Sequence, residues 1–400
     1  MRLFRLLMLP LLSCSAACTA LGDAPSNDPA DYVVDTSVSY ALEVSEPRWV
    51  VPSDTIPVEI DVQESNNNVD ICYFDGRLFM SWRSGPTHFA SEDPQMHVMS
   101  SSDDGKTWEF EHTIDIGTDL REPRLISYQG KLQLLFFQAG VIMTAFEPQR
   151  ILRTWRNGFQ DWSELETVNP EPEVPWDIKV RNDRLFMTSY AGGHYEEDSD
   201  VEVYFKESTD GLTWEKVNGK ENVYTGGVSE VAFEFAADGT LWLVTRNEDG
   251  DASGYGSHVC YAPADNITEW VCPAICDPER YDSPEMFRHG DTLYLVARRD
   301  IGGPYGPDDA NVIDYSLRPK RTAIYQIDQE QKQVVHIMDI PGAGDTAFPA
   351  IWRTGPHSFL MANYTSPLDE PDVTWLEGQS SRRGTQIYLM DINFVAESGN

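Results

Sequence analysis

Short apolar runs punctuate the chain, each bounded by Gly, Asp or Asn, as at residues 132–137, 241–244 and 293–297. Runs this short between turn formers fit buried β-strands, and no helical heptad pattern competes with them. The runs belong to a larger unit of an acidic residue, an apolar run, a turn, an apolar anchor, and a final residue five places past the anchor. It returns six times at intervals of roughly fifty to sixty residues, as Asp70…Leu78…Arg83, Glu122…Leu132…Phe137, Asp177…Leu185…Tyr190, Glu230…Leu241…Arg246, Glu285…Leu293…Arg298 and Asp345…Phe359…Tyr364. Strand-built repeats of this length predict an all-β fold, a six-bladed propeller of four-stranded antiparallel blades.

Blade 1 reads as strands at 70–74, 78–83, 96–101 and 108–114. The last repeat offers only three, at 348–352, 359–364 and 385–392. An unpaired edge would leave backbone groups unsatisfied, so residues 32–44, rich in Val, Tyr and Ser, are expected to close the ring against 385–392. Equivalent positions in a propeller converge on one axis, and the terminal column reads Arg83, Phe137, Tyr190, Arg246, Arg298 and Tyr364. Residues five apart on a straight strand face opposite sides, so the column is expected where each strand ends and turns. Three arginines and two tyrosines at one mouth suit an anionic ligand.

Charge narrows the partners. The 400-residue chain has a net charge of −35, which disfavours nucleic acid and anionic membrane surfaces. A local ring of arginines can still oppose that field. Arg2 and Arg5 precede an apolar stretch at 6–12, too short to span a bilayer, and Ser15-Ala16-Ala17-Cys18 follows. Residues 1–18 therefore read as a lipoprotein signal with Cys18 as the lipidated residue, Cys14 being the alternative, and the membrane is met only through that N-terminal lipid. Residues 19–31, rich in Pro, Ser, Asn and Asp, suit a flexible tether, and 32–400 a single, monomeric propeller domain. Cys260 and Cys272 flank the turn Pro263-Ala264-Asp265-Asn266, which favours one structural disulfide, while Cys272-x-x-x-Cys276 lacks the second ligand pair a zinc site needs. No cofactor is called for.

A second motif recurs between third and fourth strands. Ser101-Ser102-Asp103-Asp104-Gly105-Lys106-Thr107-Trp108 fits S-x-D-x-G-x-T-W, Ser208-Thr209-Asp210-Gly211-Leu212-Thr213-Trp214 is a close variant, and 157–162 and 265–270 look like eroded copies. Gly permits the positive φ of such a turn, Asp and Ser bond its amides, and Trp packs beneath. This octapeptide resembles the Asp box (BNR repeat) of the sialidase superfamily, over essentially all of the chain from residue 32. Glu230 and the D-G-x-L strand ending at Arg246 resemble the family's glutamate and carboxylate-binding arginine. The segment 345–349 followed by 363–366 resembles its last blade, which supplies a tyrosine nucleophile.

The resemblance implies an exo-glycosidase for a sugar whose carboxylate sits beside the anomeric carbon. A neutral tyrosine avoids the repulsion an anionic nucleophile would meet there. It assigns Tyr364 as nucleophile, Glu230 as the group that draws off its proton, and a loop acid, Asp93 or else Asp70, as proton donor. Arginines would clamp the carboxylate in charge-assisted pairs. The R-I-P arginine of the family's first blade is absent from 67–70, and Arg121-Glu122-Pro123 is the nearest match; Arg298 or Arg321 supplies the third arginine. Two other readings stay open. One is a propeller enzyme using axial carboxylates such as Asp70, Asp177 and Glu285; the other is a non-catalytic surface propeller that binds glycan or protein, its mouth plugged by aromatics such as Phe137.

Overall fold

A computed structural model describes residues 24–145, 147–194, 200–303, 312–380 and 382–397. The expected signal at 1–18, with Cys18, lies outside the described residues. Six antiparallel sheets stand around one axis as the blades of a propeller. The innermost strands are Ser65–Phe74, Leu120–Tyr128, Val174–Arg181, Val231–Phe235, Tyr281–His289 and Ala350–Arg353. The anchors Leu78, Leu132, Leu185, Leu241, Leu293 and Phe359 are all buried, which accounts for their recurrence: each fully buried Leu or Phe side chain contributes about 2–3 kcal/mol.

Ring closure follows the expected logic with shifted boundaries. Tyr40–Val44 pairs with Gln386–Ala396, Tyr40 opposite Ala396 and Val44 opposite Ile392. Arg48–Val51 then continues along the same strand, opposite residues 387–389, while 32–39 forms no strand. Blade 4 keeps only three strands, Val231–Phe235, Leu241–Thr245 and Val259–Ala262. A single bridge, Tyr261 to Val271, and the disulfide Cys260–Cys272 stand where its fourth strand would pair. Cys276 is a free, buried thiol.

The turn at 101–108 is built as its composition requires. Asp103 Oδ1 accepts from the amides of Lys106 and Thr107, Ser101 Oγ accepts from Gly105, and Gly105 takes φ +82°. A Cβ on Gly105 would lie 2.5 Å from a Leu389 methyl and 3.2 Å from the Trp108 ring. The turn is tied to the inner strand of its blade, the Tyr73 hydroxyl donating to Asp104 at 2.8 Å, and it does not line the cleft described below.

The inner strands carry the feature that shapes the site. Register shifts interrupt them at Asn67/Asp70, Arg121/Arg124, Pro175/Ile178 and Asp282/Glu285. Asn68, Glu122 and Ser283 sit in these bulges with φ of 49°, 55° and 50°. A bulge re-aims a side chain that a regular strand would hold in the sheet, and non-glycine residues at positive φ store strain of about 1–3 kcal/mol each.

At the far ends of the inner strands the segment from Ala24, expected to be flexible, lies docked across the axis. Asn182 donates its amide to Asp28, Arg181 donates to the Asn27 carbonyl, and Trp352 Nε1 donates to Pro25. Just inside that end, Lys179 Nζ bonds Asp177 and Glu285 at 2.6 and 2.9 Å. Asp70 lies beside them, and its carboxylate accepts the Leu125 amide. The remaining space is about 40 Å³, too small for a sugar ring. The axial carboxylates therefore form a neutralised plug, which removes the paired-carboxylate reading and takes Asp70 out of the site.

Candidate active site

At the opposite end, where the bulges point, a cleft of about 560 Å³ opens. Of the terminal column, Tyr190, Arg246, Arg298 and Tyr364 line it, and so does Arg121. Most of the column lies inside strands, close to their ends, rather than on the turn: Arg298 precedes the end of Thr292–Asp300 by two residues, and Tyr364 the end of Ser358–Thr365 by one. Arg83 and Phe137 do not reach the cleft. Arg83 is fully buried, its Nε 2.7 Å from Asp119, donating also to the Thr87 and Phe89 carbonyls. It holds the loop that carries His88. Phe137 packs between blades 2 and 3, so the mouth is not plugged.

Two further expected residues stand elsewhere. Arg321 pairs with exposed Asp372 and the Pro371 carbonyl at the surface, which leaves Arg298 as the arginine of blade 5. Asp93 is exposed, engages Gln63 through its carbonyl, and is not among the residues that line the cleft. Glu230 does line the cleft, but its carboxylate serves other partners: Arg246 Nη1 at 2.6 Å and the Ser283 amide at 2.8 Å.

The partner of Tyr364 is Asp345. The tyrosine hydroxyl donates to Asp345 Oδ1 at 2.9 Å, and Asp345 Oδ2 is 2.8 Å from His88 Nδ1. Burial holds His88 below the ordinary histidine range, so near neutral pH a neutral imidazole supports a carboxylate. Burial alone would raise Asp345, but His88, the Arg298 guanidinium and the Tyr364 hydroxyl hold it below the usual carboxylate range. Burial, with Asp345 beside it, pushes the Tyr364 phenol well up, so it reacts only as its proton leaves.

The arginines differ in what they already hold. Arg246 is bonded by Glu230 and Glu248, and Arg121 Nε by Asp119 at 2.6 Å. Among the described residues Arg298 bonds only neutral groups: the Thr346 carbonyl at 2.7 Å, Ser283 Oγ at 3.1 Å, the Ala347 carbonyl at 3.4 Å and the Tyr315 hydroxyl at 3.5 Å. Among the described residues no carboxylate stands within ion-pair distance of it. A buried guanidinium so placed is prepared for an incoming anion.

Glu122 is the converse case. Its Oε1 receives a long bond from Asn68 at 3.4 Å, and its buried Oε2 has no hydrogen-bond partner. Burial, reinforced by the nearby Glu230 charge against the pull of Arg124, raises it to about 8. It is a protonated carboxylic acid at neutral pH, lining the same cleft as Tyr364. The repeat marked Glu122 and Asp345 as acidic positions without a role; nothing in the sequence marked His88.

No protein-family model and no curated protein matches the chain. Solved structures do. A protein of unknown function from Dyadobacter fermentans aligns over 88% of this chain and 99% of its own, with TM-score 0.62 and 11% identity. The phage phi92 endosialidase aligns over 92% of this chain and 71% of its own, with TM-score 0.58 and 11% identity. The Trypanosoma rangeli sialidase aligns over 83% of this chain and 55% of its own, with TM-score 0.54 and 14% identity; the chain thus spans about half of that enzyme. At these identities the likeness is one of fold, and the fold is the six-bladed propeller of the sialidases.

Proposed function

We propose that the chain is a glycosidase that releases a terminal sugar bearing a carboxylate, of the sialic-acid type, with Tyr364 as nucleophile. The observation that carries this reading is the Tyr364–Asp345 bond in a cleft where buried Arg298 has no carboxylate partner among the described residues. In the first step Tyr364 Oη attacks the anomeric carbon and its proton passes to Asp345. The glycosidic C–O bond breaks, and Glu122 gives its proton to the leaving oxygen. In the second step water attacks the same carbon, Glu122 takes the water's proton, and the departing Tyr364 oxygen recovers its own from Asp345. The substrate carboxylate binds Arg298, flanked by Arg246 and Arg121. Glu230 positions Arg246 rather than activating the tyrosine. The turns at 101–108 and 208–214 are, in this reading, Asp boxes of the superfamily.

A panel of fluorogenic glycosides, sialosides included, tests the proposal on the protein from residue 24 onward. Release from anionic sugars alone is expected. If none is cleaved while one still binds at the cleft, the non-catalytic glycan-binding propeller replaces it. Export and lipid anchoring at Cys18 belong to the same proposal: labelling with a lipid probe should vanish in Cys18→Ala, and labelling that persists points to Cys14.

A further inference from the structure

The cleft has two unlike sides. Arg246, Arg298 and Ser283 come from blades 4 and 5, whereas an apolar arc comes from three consecutive blades. Trp375 and Leu376 belong to a short helix (α1, Trp375–Ser380) inserted in blade 6; Phe89 and Ala90 lie on a loop of blade 1; Met143 lies on a loop of blade 2. All three insertions follow the second strand of their blade. The arc is continuous between blades 6 and 1, because the His88 amide donates to the Gln379 carbonyl.

Its outer edge is open to solvent. Met143 is 63% exposed and its neighbour Ile142 52%, with Val141 and Leu376 also exposed. Isolated exposed hydrophobics need no explanation, but a contiguous run at the mouth of a pocket marks something to be covered. Two residues of that rim, Met143 and Leu376, line the same cleft as Tyr364 and Glu122.

We infer that the substrate is an amphiphile, an anionic sugar whose glycosidic oxygen carries an alkyl chain, with the sugar carboxylate at Arg298 and the chain laid along Phe89, Met143 and Leu376. This rests on the proposed function and adds the class of leaving group. A polar sugar as aglycone would leave the exposed apolar edge wet. An alkyl chain covers it at about 0.8 kcal/mol per buried methylene, roughly fourfold in affinity at full burial.

The test is a series of alkyl glycosides of one anionic sugar, methyl to octyl, cleaved by the protein from residue 24 onward. kcat/KM should rise about two- to fourfold per methylene over the first several carbons. The gain per methylene should fall toward one in the Met143→Gln/Leu376→Gln double variant. A flat wild-type series overturns the inference and leaves the glycosidase reading intact, and so does a chain-length gain that survives the double variant. If the wild type cleaves no member, the glycosidase reading fails by itself. Calorimetric titration with propanoate through octanoate then decides: affinity that climbs with chain length in wild type and not in the double variant upholds the amphiphile class, and equal affinities overturn it.

Discussion

Three residues of the proposed site, Tyr364, Arg298 and Glu122, each give a separate prediction. Tyr364→Phe removes one oxygen from a buried ring that keeps its packing, so turnover should vanish while binding of an anionic ligand persists in calorimetry. Full activity in that variant would refute the nucleophile. Arg298→Ala removes a desolvated cation that has no carboxylate partner among the described residues, and should weaken carboxylate binding by roughly 2–5 kcal/mol, well beyond a rim ion pair. In the proposed reaction Glu122 is expected to set the alkaline side of the pH profile. With its carboxyl raised to about 8, proton donation should be present below that pH and lost above it. Glu122→Gln should cost most for poor leaving groups and little for activated ones. The same shift acts on stability: between the ordinary glutamate range and pH 8 the unfolded chain ionises this group and the folded one does not, so stability falls as pH rises through that window. The Tm drop between pH 5 and 8 should shrink in Glu122→Gln, and not vanish, because burial also raises Glu285 to about 8.

At the scale of elements, the bulged inner strands and the short blade 4 govern behaviour. The acids of the repeat stand at different places relative to the bulges, and so do unlike things. Glu122 sits in its bulge and is turned into the cleft, whereas Asp70 and Glu285 stand just past theirs and face the plugged end of the axis. Blade 4 replaces a strand with one bridge and the Cys260–Cys272 link, which closes a short loop of sequence separation 12. Replacing both cysteines with serine should cost about 2–4 kcal/mol in denaturant unfolding. Native-state hydrogen exchange should rise first in 259–272. Unchanged exchange there would mean that packing alone holds the edge.

The whole molecule is closed by its N-terminal strands, with the cleft at one end of the axis and the docked segment from Ala24 at the other. The sequence alone determined the propeller, its six-fold count, the need for a closing strand and the buried anchors. Those follow from periodicity and from the requirement that every strand edge be paired, both local or counting arguments. It also marked Arg246, Arg298 and Tyr364, because strand ends of equal length project to the same height on one axis. Tertiary structure alone decided partnership. Whether Tyr364 meets Glu230 or Asp345, whether Arg83 faces the cleft or Asp119, and whether Glu122 is protonated depend on bulges of one residue and on His88, held by a loop from another blade. A one-residue bulge leaves no mark on the spacing of apolar positions, yet it re-aims a side chain and so decides which residues share the cleft.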